Sequence, residues 1–248
     1  MQLEQPQAIR TIFFDVGFTL LHPNPSDLEI CQQVCARLNL HLRTEELQNR
    51  FIEAEDFYFR HMRANRQVWA NDAAINEFWV TYYMMMLRPF VEEQDERRLR
   101  RLAEMVSQEY DSHTSWQLYP DVIPTLRALQ LSKRYTLGAI SDWGISLGPI
   151  LQNLQLNTYF DCLLVSALTG HAKPSPSLYE TALERANAVA DYTIHVGDSY
   201  TLDVLGARAV GITPVLLDRK GQLEPDQVDC LLIHSLAEML TLLEVEEH

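Results

Sequence analysis

No apolar run in this 248-residue chain approaches the length needed to cross a bilayer; the strand-like runs are short. The first residues, Met1-Gln2-Leu3-Glu4-Gln5-Pro6, are polar and carry no signal-like core. Together these absences predict a cytoplasmic protein. Cysteine is sparse: Cys31, Cys35, Cys162 and Cys230 form no CxxC pair, which argues against a zinc site or disulfides. Cys31 and Cys35 stand one helical turn apart and read as reduced thiols in a core. Positive charge is short as well. Twenty Lys and Arg face 34 Asp and Glu, a formal net charge of -14, with pI ≈ 4.9. That balance argues against nucleic acid or an anionic membrane as the main partner. It also repels anionic substrates at long range, so any anion site needs local positive charge. No Lys occurs between His22 and Trp116, and no internal repeat or low-complexity segment stands out.

What is present is a set of polar residues at the ends of apolar strands. Thr11-Ile12-Phe13-Phe14 runs into Asp15-Val16-Gly17-Phe18-Thr19-Leu20. The β-branched and aromatic run reads as a buried strand, and the polar residues as its carboxyl-end loop. An Asp that caps a turn is the plain alternative. Downstream, Tyr135 to Ile140 leads into Ser141-Asp142, and Tyr192 to Val196 leads into Gly197-Asp198-Ser199, with Asp203 following. Between them lies the loop Gly170-His171-Ala172-Lys173-Pro174. Parallel strands ending in these residues would gather them at one sheet edge, where open α/β sheets place their sites.

In order and spacing, these four segments resemble the haloacid dehalogenase-like hydrolase superfamily, in its branch with a helical cap inserted after the first motif. The resemblance covers nearly the whole chain. It matches Asp15 and Thr19 to the first motif, Ser141 to the second, Lys173 to the third, and Asp198 with Asp203 to the fourth. It implies a Mg²⁺-dependent phosphatase acting on a small phosphorylated metabolite through an aspartyl-phosphate. Asp15 would be nucleophile and metal ligand, with Asp198 and the carbonyl of Gly17 as further ligands. Thr19 and Ser141 would bind the phosphoryl oxygens, and Lys173 would offset charge. Asp203 would orient metal-bound water or Lys173. The chemistry is coherent, because an anion attacking a phosphate needs a cation beside it.

The sequence also departs from that family. Its phosphatases usually carry a second Asp two residues after the nucleophile, as general acid and base; here Gly17 stands there, and Phe18 stands where Gly is usual. Losing a positioned proton donor costs about 10²–10⁴ in rate. The implied alternative is a phosphometabolite-binding or regulatory protein with little turnover. Phosphonate-cleaving relatives use a cap Lys, which the stretch from His22 to Trp116 lacks. A haloacid dehalogenase would have Asn where this chain has Asp142, and an extra anion disfavours halide departure. His22, His171 and Asp142 are candidate substitutes for the missing acid, against plain readings as solvated loop or cap residues.

The expected fold is α/β: a doubly wound parallel sheet with an inserted α-helical cap. The core would be formed by residues 1–20 and 118–248, the cap by 21–117. Apolar spacing predicts four cap helices, around Leu28 to Leu38, Leu47 to Tyr58, Phe78 to Met85, and Leu99 to Val106. Trp69, Phe78, Trp79, Tyr82, Tyr83 and Met84 to Met86 could line a substrate pocket or dimer surface, or pack the cap's own core. Arg60, Arg63 and Arg66 could reach a second anionic group or form a solvated face. Arg97 to Arg101 follow Glu92, Glu93, Asp95 and Glu96, and read as local helix ion pairs. Further strands are expected at Asp161 to Val165, Thr213 to Leu217 and Cys230 to Ile233. Core helices are expected at Val122 to Leu131, Ser177 to Asn187, Thr201 to Val210 and Ser235 to Leu243. The chain would act as a monomer or homodimer.

Overall fold

The structure, a computed structural model, describes residues 3–245; the side chains of residues 62 and 63 are not described. Met1 and Gln2 of the polar N-terminus, and the side chain of Arg63, therefore lie outside the described residues. Strand β1 (Thr11–Phe14) is followed by a tight turn and the short β2 (Leu21–Pro23). Helices α1 (Asp27–Arg37), α2 (Thr44–Ala64), α3 (Asp72–Leu87) and α4 (Glu96–Glu109) come next. The chain returns through β3 (Trp116–Leu118) to α5 (Val122–Leu131), β4 (Thr136–Ser141), α6 (Leu147–Asn153), β5 (Cys162–Val165) and the single turn α7 (Ser166–Thr169). It ends with α8 (Pro176–Ala186), β6 (Thr193–Gly197), a π turn at Tyr200–Val204, α9 (Leu205–Arg208), β7 (Thr213–Leu217), β8 (Leu231–Ile233) and α10 (Glu238–Leu242). None of the described helices is long and apolar enough to cross a membrane.

The six-stranded sheet has the order β5-β4-β1-β6-β7-β8, every pair parallel. From β1 the chain winds outward through β4 and β5, then returns to β6 on the other side of β1. The order therefore reverses beside β1, at the switch point where such sheets open a crevice at their carboxyl ends. Side chains alternate across the sheet with the expected period of two. Ile12 and Phe14 join the larger core with Leu137, Ile194 and Val215, while Phe13 packs on the opposite face with Tyr179 and Ile140. Apolar burial on both faces is what a parallel sheet requires.

Helices α1 to α4 have a core of their own, built from Cys31, Val34, Leu47, Tyr83, Met86, Leu102 and their neighbours. Local signals fix the starts of three of them, α2 having no side-chain cap. Ser26 and Glu29 form a capping box on α1, Asn71 caps α3 and Asp95 caps α4. Trp69, Phe78, Tyr82 and Tyr83 are buried, which supports core packing for most of the aromatic stretch. The arginine run forms a local helix ion pair through Arg100, which also reaches across to α3. Arg100 bonds Glu104 one turn on and Glu77 on α3, and Arg88 reaches Glu96.

Several element boundaries differ from the sequence expectation. The helix expected from Thr201 to Val210 opens as a π turn and is regular only over Leu205–Arg208. Asp203 sits in that turn with its side chain turned inward, and local backbone regularity gives way to the bonds it makes. The closing helix is shorter than Ser235 to Leu243, because the Glu238 carboxylate bonds the backbone N–H groups of His234 and Ser235 and starts the helix at Glu238. The antiparallel β2–β3 pair, with Leu21 opposite Leu118 and Pro23 opposite Trp116, joins the two ends of the helical insertion. Such three-residue strands have too little pattern to detect.

Candidate active site

Asp15 leaves β1 at the switch point, and its backbone N–H donates to the Val196 carbonyl at 2.8 Å, extending the β1–β6 ladder. Ser141 ends β4, and Asp198 follows Gly197 at the end of β6. The parallel register thus brings three strand ends together, as the sequence predicts. Lys173 reaches the same place from its loop. Its ammonium donates to Asp15 Oδ1 and to Asp203 Oδ1, each at 2.6 Å. Asp15 is 8% exposed and Lys173 1%. A buried ammonium is tolerable only when it is paired in this way.

Asp203 is held on both oxygens. Oδ1 also meets His195 Nε2 at 2.9 Å, and Oδ2 accepts from the Ser199 N–H at 3.0 Å. A Cβ on Gly197 would lie 2.2 Å from Asp203 Cγ, so the strand must end in glycine for Asp203 to approach. His195 was not singled out from the sequence. It is fully enclosed on β6, its ring edge against Tyr179 at 5.2 Å. The available signal was the alternation of β6, which puts Thr193, His195 and Gly197 on one face with His195 a buried polar residue.

The electrostatics follow from burial and charge. Desolvation raises the Asp15 pKa, and Lys173 counters part of that rise. Burial would lower the pKa of Lys173, but Asp15 and Asp203 outweigh it and hold the ammonium well above its ordinary value. For Asp203, burial is likewise outweighed by Lys173 and His195, and its carboxyl is held below the usual range. Burial keeps His195 below its ordinary value. Crowding by protein, with the charges of Asp15 and Asp203, pushes Asp198 up to about 8, although one side of this residue opens to solvent.

Carboxylate oxygens of Asp15, Asp198 and Asp203 lie within 4.8 Å of one another. Such an all-oxygen set fits a hard divalent cation. With both Asp203 oxygens already bonded, Asp15 and Asp198 are the carboxylates left to hold it. Gly17 lies two residues after Asp15 in the tight turn and is bridged to Leu21. Phe18 takes the left-handed backbone at φ 58° that glycine favours, and its ring is exposed. Thr19 is fully buried, and its hydroxyl has no partner among the described residues.

The remaining candidates are dispersed. His22 bonds the Pro23 carbonyl and lies tilted against the Tyr119 ring, and His171 is exposed. Asp142 accepts from the Lys173 backbone N–H at 2.9 Å and pairs with Arg66; burial pushes its pKa up to about 6. Arg66 therefore does not lie on a solvated helix face. It sits in the turn after α2, where Nε also donates to the Lys173 carbonyl at 2.8 Å. A neutralising partner in the opposite segment draws it inward. Arg60 is exposed and bonds its own helix at Asp56. Beside Lys173 opens a cleft of about 350 Å³, lined by Arg66, Gln67, His171 and Pro174 among others.

Comparison with known proteins agrees with this geometry. Residues 9–211 match the family described as haloacid dehalogenase-like hydrolase. The human "Haloacid dehalogenase-like hydrolase domain-containing protein 3" is 31% identical over 158 residues, 62% of this chain and 62% of that protein. A "Glyceraldehyde 3-phosphate phosphatase" of Methanopyrus kandleri is 31% identical over 102 residues, 41% of this chain and 43% of that protein. The chain spans about half to three fifths of the length of the first such relatives. Among solved structures, the magnesium-bound HAD-hydrolase YfnB of Bacillus subtilis superposes with a TM-score of 0.75 at 20% identity, covering 96% of this chain and 99% of that one. A 2-haloacid dehalogenase of Pseudomonas syringae gives 0.64 at 23% identity, covering 95% and 98%. At such identities the likeness shows the fold alone. On its motifs, its sheet and the match across residues 9–211, the chain belongs to the haloacid dehalogenase-like hydrolase family.

Proposed function

We propose that this chain is a Mg²⁺-dependent hydrolase of small phosphorylated compounds, working through an aspartyl-phosphate on Asp15. The observation that carries the reading is the Lys173 ammonium bonded to Asp15 and Asp203 at the switch point. The free Asp15 oxygen attacks phosphorus, and Lys173 offsets the meeting of two anions. Asp203, with its back to His195, keeps the ammonium in place. Ser141 takes a phosphoryl oxygen; Thr19, being enclosed, does so only if its turn opens. Asp15, Asp198 and the Gly17 carbonyl would hold Mg²⁺, which supplies positive charge to the phosphoryl oxygens.

The division into a core of residues 1–20 and 118–248 and a cap of 21–117 belongs to the same proposal. The separate helical core and the Arg66–Asp142 pair support a cap that closes on the site. Gly17 favours a second reading, a phosphometabolite-binding protein with little turnover.

Hydrolysis of 4-nitrophenyl phosphate with and without Mg²⁺, in wild type and Asp15→Asn, tests the choice. We expect Mg²⁺-dependent turnover that falls by roughly 10³ or more in the variant. Equal rates in both proteins would leave phosphate binding as the function. Glyceraldehyde 3-phosphate, named for the Methanopyrus relative, is the alkyl ester to compare beside it.

A further inference from the structure

The groups bonded to Asp15, and those packed behind them, already have partners, and Asp198 stands on the side where a cation would be held. The Lys173 ammonium donates to Asp15 and Asp203, whose charges hold its protons tightly. Asp203 is ionised and bonded at both oxygens, and His195 lies behind it. Asp142 is taken by Arg66 and the Lys173 N–H, and His22 by the Pro23 carbonyl. The remaining side of Asp15 is the turn at Gly17, where a Cβ would lie 3.3 Å from Cζ3 of Trp143. An indole carbon edge thus borders the place where a side chain on residue 17 would begin. Trp143 is anchored there: its ring meets Trp116 edge-on at 4.7 Å, and its backbone N–H donates to Ser166 Oγ at 3.1 Å. Neither glycine nor indole carbon can deliver a proton to a departing oxygen.

From this we infer that Gly17 and Trp143 restrict the site to phosphoryl compounds whose leaving group departs as a stable anion, namely acyl phosphates and phosphate esters of acidic hydroxyls. The inference rests on the phosphatase reading above and names its substrate class. Asp15 Oδ forms a bond to phosphorus as the bond from phosphorus to the leaving oxygen breaks. The electron pair leaves on that oxygen as a carboxylate or aryloxide, and no proton moves. Water then attacks phosphorus, Asp15 departs as carboxylate, and both water protons remain on the phosphate released. An alkoxide is too basic to leave in this way, so ordinary alkyl phosphates fall outside the class.

The test compares kcat/KM of the full chain with Mg²⁺ on acetyl phosphate, a series of aryl phosphates of rising phenol pKa, and glycerol 3-phosphate. Phosphorylation of the Asp15 peptide is followed by mass spectrometry. Expected are cleavage of acetyl and 4-nitrophenyl phosphate, a steep fall along the aryl series, and glycerol 3-phosphate slower by at least about 10³-fold. Gly17→Asp combined with Trp143→Phe, which makes room at the ring edge, should flatten the series and raise the alkyl rate. A flat series in wild type, with glycerol 3-phosphate cleaved as fast as the aryl esters, overturns the inference and leaves the phosphatase reading intact. No cleavage of any compound and no phosphorylated Asp15 overturns both.

Discussion

Asp198 stands at the open rim of a cluster whose other carboxylates, Asp15 and Asp203, are buried. Desolvation and those two charges push it up to about 8, so its ionised form is disfavoured on folding. A carboxyl raised in the folded state stabilises fully below its unfolded value near 4, and that stability is lost as pH rises toward 8. Without metal, Asp198→Asn should therefore be more stable than wild type at pH 8. Solvent on the open side limits the gain to about 1 kcal/mol, or roughly 2–4 °C in Tm. The difference should vanish below about pH 4, and Mg²⁺ should reverse it by stabilising only the wild type; thermal melts in EDTA and in Mg²⁺ check both. Strand-end carboxylates such as Asp15 and Asp198 were legible in the sequence because each ends an apolar run. His195 was not, because a polar residue inside a buried strand shows its partner only once Asp203 is folded against it.

Arg66 marks the same limit at the scale of elements. Its sequence neighbourhood reads as the polar end of α2, yet in the fold the following turn carries it to Asp142 and the Lys173 carbonyl. This ties the helical insertion to the loop that delivers the ammonium. Arg66→Ala should free that loop while leaving the sheet intact. We expect a rise in KM of about tenfold, the size of a lost part-buried charge pair worth about 1.4 kcal/mol. Faster amide exchange at residues 171–175 should accompany it, measured by hydrogen exchange with mass spectrometry; unchanged exchange would mean the pair does not hold the loop. Helices with clear apolar spacing were legible, α5 to the residue and α1 and α4 within three positions, whereas α2 runs six residues past Tyr58 and α3 starts six before Phe78. The β2–β3 pair, the seven-residue α6 and the π turn were not. Each is too short for periodicity and is fixed by tertiary bonds, as Asp203 shows.

Across the whole molecule, a formal net charge of -14 sets the field that any phosphorylated substrate crosses. The positive charges nearest the nucleophile are local: Lys173 is buried, and Arg66 is drawn to Asp142. Within a few ångströms of Asp15 the ammonium attracts a phosphoryl group, as would a cation held by Asp15 and Asp198, but beyond about 10 Å the surface repels it. Salt screens the long-range field and leaves the buried contacts almost unchanged. Raising NaCl from about 10 to 150 mM shortens the screening length from about 30 to 8 Å. With Mg²⁺ held saturating, so that screening of the cation's own binding is not limiting, kcat/KM for a dianionic phosphate should rise with NaCl while kcat stays constant. An uncharged acyl or aryl ester has no such field to cross, and any slow hydrolysis of it should not change with salt. A fall in kcat/KM for the dianion would instead mean that exposed arginines guide substrate into the cleft beside Lys173.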